Sequence, residues 1–167
     1  MKIDEVIDSR NKGYIKEIID DIEYYTTVDM RPAGLISGIR MLSSYGLTVG
    51  EIRTILRKFK PKILNYLNVM LHSHKHLHGE LPAWFDTILV MTDEAGVTWP
   101  EITSIVDAHK DTIIKLLLHA MKESDTGSVH YTIEHLNKMN LNWPELSVIE
   151  KSAKAEQANR KKGPFVA

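Results

Sequence analysis

Gly46-Leu47-Thr48-Val49-Gly50-Glu51-Ile52 returns as Gly96-Val97-Thr98-Trp99-Pro100-Glu101-Ile102, and again as Asn140-Leu141-Asn142-Trp143-Pro144-Glu145-Leu146. Each stretch reads as one helix ending and another beginning. Gly and Asn are the residue types that close a helix in the left-handed conformation. Two residues on, Thr48-x-x-Glu51 and Thr98-x-x-Glu101 have the form of a capping box. The threonine oxygen accepts an orphan N–H of the first turn, and the glutamate reaches back to the cap N–H. Asn142 is read as the same cap in the third stretch. Pro100 and Pro144 fall in the first turn, where a missing N–H costs nothing.

Working outward, Pro32-Ala33, Met41, Ile55, Lys60, Ile63 and Leu67 also recur one period on, as Pro82-Ala83, Met91, Ile105, Lys110, Ile113 and Leu117. The total is 11 identities over 40 ungapped positions at a shift of 50. Unrelated segments match at roughly one position in sixteen, so the period is taken as real. The third copy is shifted by 44 and is degenerate. After each turn an apolar stripe of helical period follows, Ile52, Ile55, Leu56, Phe59 and Ile102, Ile105, Val106, His109. Pro61 and Asp111 then mark the start of a third helix, with stripes Ile63, Leu64, Leu67, Val69, Met70 and Ile113, Ile114, Leu117, Leu118, Met121.

The expected fold is therefore all-α, with three tandem helical repeats of about 50 residues behind an N-terminal capping helix. That helix carries Tyr14, Ile18, Ile22 and Tyr25 on one stripe. A single domain over 1–158 is expected, divided as 1–30 cap, 31–80 repeat 1, 81–126 repeat 2 and 127–158 repeat 3, with a flexible tail at 159–167. Helices are expected near 14–25, 33–45, 49–59, 61–72, 83–95, 99–109, 111–123, 129–139 and 143–158.

A chain of 167 residues with 43% hydrophobic content can bury one sizeable core. It has no cysteine, which excludes disulfides and thiolate-bound zinc. No apolar run approaches the length of a membrane span. The acidic start Met1-Lys2-Ile3-Asp4-Glu5 shows no secretion signal, so a cytoplasmic location is expected, without membrane contact.

The net charge of −1 conceals a strong polarity. From Ile52 to Gly79 there is no acid, against six bases; from Glu80 to His109 there is no Lys or Arg, against six acids. Either neighbouring repeats attract one another, or repeat 1 offers a basic face to phosphate.

Residues 41–56, with Gly46 opening the turn, Leu47 after it, and Ile52 and Ile55 six and nine positions beyond the glycine, resemble the helix-turn-helix motif of DNA-binding proteins. Leu42, four before the glycine, is bulkier than the small residue usual there. The resemblance implies an outward face of Thr48, Val49, Gly50, Arg53, Thr54 and Arg57. On it, Arg53 and Arg57 would reach bases or phosphates, with Lys58, Lys60 and Lys62 on the backbone. Repeat 2 presents Thr98, Trp99, Pro100, Thr103, Ser104 and Asp107 there, without a base.

His72, His74, His76 and His78 alternate along one stretch and are weak candidates for a metal site. Lys75 in their midst opposes a cation, and a solvent-exposed loop is the simpler reading. Trp99 and Trp143 are expected to pack on the preceding unit, and Trp84 in the core. No nucleophile with a nearby base, no phosphate-binding glycine loop and no paired carboxylates in an apolar setting are visible, so neither an enzyme nor a cofactor is expected. The sequence thus points to a non-enzymatic nucleic-acid-binding regulator acting through Thr48, Arg53, Thr54, Arg57, Lys58, Lys60 and Lys62. The alternative is a helical-repeat adaptor that binds a protein partner through repeats 2 and 3, as would suit a phage or bacterial accessory factor.

Overall fold

The computed structural model describes residues 11–72 and 81–162. Among them are nine α-helices and no strand. In chain order these are α1 (Lys12–Thr27), α2 (Pro32–Ser44), α3 (Val49–Lys58), α4 (Lys60–His72), α5 (Leu81–Leu89), α6 (Pro100–Ala108), α7 (Lys110–Lys122), α8 (Thr126–Lys138) and α9 (Pro144–Lys161). α5 runs on into a π-helical turn, Val90–Glu94. The helix α9 extends past residue 158 to Lys161, where the sequence led us to expect a tail.

Two compact units are described. Among the described residues the first draws on 11–72 and 86–102, the second on 81–85 and 103–162. In the first unit α1 packs along α2 and also touches α4, while α2 meets α3 and the π turn. The α1/α2 contact is close because α2 carries Gly34 and Gly38. A β-carbon at Gly34 would stand 2.3 Å from Tyr25 Cγ, and one at Gly38 2.5 Å from Ile22 Cγ1. The face of α1 that is buried is Ile15, Ile18, Ile19, Ile22 and Thr26. Tyr14, expected on that stripe, is instead 59% exposed and stacks on Tyr45. In the second unit α7, α8 and α9 pack pairwise, and Asp125 caps α8 by accepting from the Ser128 N–H.

The turns follow the sequence reading. Gly46, Gly96 and Asn140 have φ of +89°, +63° and +58°, the left-handed region. After α2 the Leu47 N–H donates to Leu42 O, and after α8 the Leu141 N–H donates to Leu136 O, the six-to-one bond of a Schellman ending. In the middle turn Val97 N–H donates to Met91 O, one residue wider, because the π turn adds a residue to the last coil.

α3 and α4 are separated by one residue, Phe59, and α6 and α7 by one residue, His109; both side chains are buried. Pro61 explains the first break, since it has no N–H to donate to Arg57 O. The buried positions then coincide, with Ile63, Tyr66, Leu67 and Met70 in α4 and Ile113, Leu116, Leu117 and Ala120 in α7. Leu118, expected on the α7 stripe, is 48% exposed, and Leu116 takes its place.

Candidate nucleic-acid interface

The start of α3 is built as its sequence requires. Thr48 is the N-cap, with extended backbone, φ −72° and ψ 160°. Its hydroxyl accepts from the Glu51 N–H at 3.3 Å, and Glu51 Oε2 accepts from the Thr48 N–H at 2.8 Å. Ile52, Ile55 and Leu56 face the core. That leaves Thr48, Arg53, Arg57 and Lys58 exposed and Thr54 half-buried, its hydroxyl donating to Gly50 O.

The five candidate cations separate into two groups. Arg53, Arg57 and Lys58 pair with no carboxylate among the described residues. Lys60 and Lys62 are already matched. Lys60 Nζ lies 2.8 Å from Glu101 Oε1 and 5.6 Å from the centre of the Trp99 ring. Lys62 pairs with Glu23 of α1 and lies 5.9 Å from the Phe59 ring. Charge along the sequence could not reveal this, because both acids come from other helices. The approach to α3 is also shaped by a neighbour. A β-carbon on Gly96 would lie 3.1 Å from Val49 Cγ1 and 3.5 Å from Arg53 Nη1, so the left-handed turn passes close beside the first turn of α3. Arg40, not singled out by the sequence, is bound to Glu94 in the π turn at 3.0 Å, and that hydrogen bond raises its already high pKa.

The corresponding helix starts differ. α6 begins at Pro100 and α9 at Pro144, so the cap position falls on Trp99 and Trp143. Trp143 is extended, φ −66° and ψ 134°, and makes no side-chain cap bond, which corrects the expected Asn142 cap. The expected Thr98–Glu101 box is also absent: Glu101 gives Oε1 to Lys60, and its Oε2 has no hydrogen-bond partner. The residue before a proline is driven out of the helical region. Each tryptophan therefore cannot be helical, and the polar residue before it lies one position too early to cap.

The glutamates so released hold lysines. Lys60 bonds Glu101, and Lys110 Nζ sits 3.1 Å from Glu145 Oε1 and 6.0 Å from the Trp143 ring. The Lys60 ammonium holds the Glu101 carboxyl below its usual pKa. Glu145 is lowered as well, first by its own backbone N–H and then by Lys110. Trp143 is 7% exposed and its indole N–H donates to Asp107 at 2.9 Å; Asp107 stands where α3 has Arg57. Trp84 is buried, as expected.

His72, His74, His76 and His78 lie outside the described residues, except for the backbone of His72, which ends α4. Among the described residues no group of His, Cys, Asp and Glu could hold a metal ion, and no helix is long and apolar enough to cross a membrane. No protein-family model, characterised protein or solved structure matches this chain.

Proposed function

We propose that this protein is a non-enzymatic nucleic-acid-binding factor whose contact surface is the face of α3 that carries Arg53, Arg57 and Lys58. One observation carries the reading. These three cations stand exposed on one helix, without carboxylate partners among the described residues. Lys60 and Lys62 serve the fold rather than the ligand, and Thr48 serves as the cap. The site is thus narrower than the basic run in the sequence.

The nine helices are proposed to form three tandem units in the order α1-α2-α3, α4-α5-α6 and α7-α8-α9. α1 then heads the first unit and is not a separate cap. Two features support this phase. The buried positions at the head of each unit share one spacing: Ile15, Ile18, Ile19, Ile22; then Ile63, Tyr66, Leu67, Met70; then Ile113, Leu116, Leu117, Ala120. The lysine that opens α4 or α7 is clasped by the tryptophan and glutamate that open α6 or α9.

The test is anisotropy titration of a labelled DNA duplex with wild-type protein and with the Arg53→Glu/Arg57→Glu variant. Wild-type affinity should fall steeply with salt, as counterion release requires. The variant should lose binding at least a hundredfold while melting normally, since neither residue is buried. Unchanged affinity transfers the function to the adaptor reading, in which a protein partner binds through repeats 2 and 3.

A further inference from the structure

We infer that the last three turns of α9, from Lys151, are a second contact for the nucleic-acid backbone, an inference that rests on the reading of α3 above. In α9 the core contact ends at Ala153, which is fully buried; Leu146 and Ile149 are the other buried residues. The helix nevertheless continues to Lys161, and from Lys154 to Lys162 no residue is buried.

The way this extension differs from its counterparts is informative. Ala153 holds the place of Phe59 and His109, and Lys154 the place of Lys60 and Lys110. In the earlier copies the chain breaks there and starts a helix that buries an apolar stripe, Ile63, Tyr66, Leu67 or Ile113, Leu116, Leu117. In α9 the helix runs straight on, and those three places are filled by Gln157, Arg160 and Lys161. A face that is core in α4 and α7 has become polar and cationic. Lys154 pairs with Glu150 of its own helix and Arg160 with Glu156. Lys151, Lys161 and Lys162 have no carboxylate partner among the described residues.

A helix that is polar all round needs internal support or a partner. The two ion pairs four residues apart, Ala155 and Ala158, and basic residues at the C-terminal end of the dipole supply the support. What they hold in place is a rod carrying Lys151, Lys154, Arg160, Lys161 and Lys162 against the single acid Glu156. The complementary ligand is a linear polyanion.

The experiment compares wild type, Lys151→Gln/Lys161→Gln/Lys162→Gln and Arg53→Glu/Arg57→Glu on a labelled DNA duplex over a range of salt. Gln keeps the helix propensity of Lys, and none of the three sites is buried, so the melting temperature should not move. The expected result is an affinity roughly tenfold or more lower, with the log–log salt slope reduced by about 0.9 per lost contact. If the triple variant binds and responds to salt as wild type does while the α3 variant does not bind, this inference falls and the α3 reading stands. If wild type itself fails to bind the duplex, both fall.

Discussion

The starts of α3 and of α6 are a natural experiment on one sequence device. Both present Thr-x-x-Glu in front of a helix, one period apart. At α3 the intervening residues are Val49 and Gly50, the helix starts at Val49, and threonine and glutamate exchange their two hydrogen bonds. At α6 they are Trp99 and Pro100, the helix starts one residue later, and the box never closes. α9 repeats the second solution with Asn142 in the lead. A single proline thus reassigns a glutamate from its own helix terminus to a lysine on another helix. It also brings a tryptophan to the joint, where the ring covers that lysine. The first solution leaves a capped helix end one turn ahead of the exposed Arg53; the second ties the helix end into the fold.

If tryptophan has replaced the box as the stabilising element of the joint, its removal should cost the most. Trp143→Ala should destabilise the protein by about 3–5 kcal/mol, the usual cost of emptying a buried aromatic site. Part of that cost comes from Asp107, which loses the indole donor. Trp99 is only half-buried, so Trp99→Ala should cost less. Urea unfolding of both variants measures this, and equal losses would mean that burial does not rank the two joints.

A smaller effect tests the proline argument directly. Gly50→Pro should push Val49 out of the helix, move the start of α3 and open the Thr48–Glu51 box, at a cost of about 1 kcal/mol. Thr48→Ala should cost about the same. The double variant should cost little more than either, because both changes remove the same bonds. Additive losses in the double-mutant cycle would show that the proline acts elsewhere.

How much of this was legible follows from where each signal lives. The helices, their turns and the left-handed residues Gly46, Gly96 and Asn140 were readable because local chemistry fixes them: caps, glycine and apolar period all lie within one or two turns. The boxes at Thr98 and Asn142 were misread because the pattern was matched without weighing what Pro100 and Pro144 do to the residue before them. That signal was present in the sequence. The pairing of Lys60 with Glu101, Lys62 with Glu23 and Arg40 with Glu94 was not, since each joins helices distant along the chain. The exposed face of Tyr14 and Leu118 was missed for a related reason: each has an isoleucine or leucine neighbour, and only packing decides which of the two turns inward.

Acid should weaken the second solution. Glu101 and Glu145 have folded-state pKa values below the ordinary carboxyl value. Their contribution is therefore complete above the unfolded-state pKa, about 4.3, and is lost as the pH falls through the depressed folded value. Melting temperatures measured from neutral pH down to about pH 3 should fall less steeply in Glu101→Gln/Glu145→Gln than in wild type. An identical slope would mean that the lysine pairs contribute nothing measurable, as many surface pairs do.

The smallest expected effect is the most discriminating. Thr98 has the sequence context of a cap and none of its bonds, so Thr98→Ala should change stability by less than about 0.5 kcal/mol, the range of an ordinary surface substitution. Thr48→Ala, an identical change one period away, should cost about twice that or more. The two variants should also differ in binding. Thr48 orders the first turn of α3, and with it the position of Arg53, so its loss should weaken duplex binding severalfold at temperatures well below melting. Thr98 makes no cap bond and orders no part of α3, so its loss should leave binding unchanged. Comparable stability losses in both variants would mean that the Thr98 box does close in solution, and that proline is no obstacle to it. A loss of binding in Thr98→Ala without loss of stability would place the ligand on the start of α6 and detach it from α3.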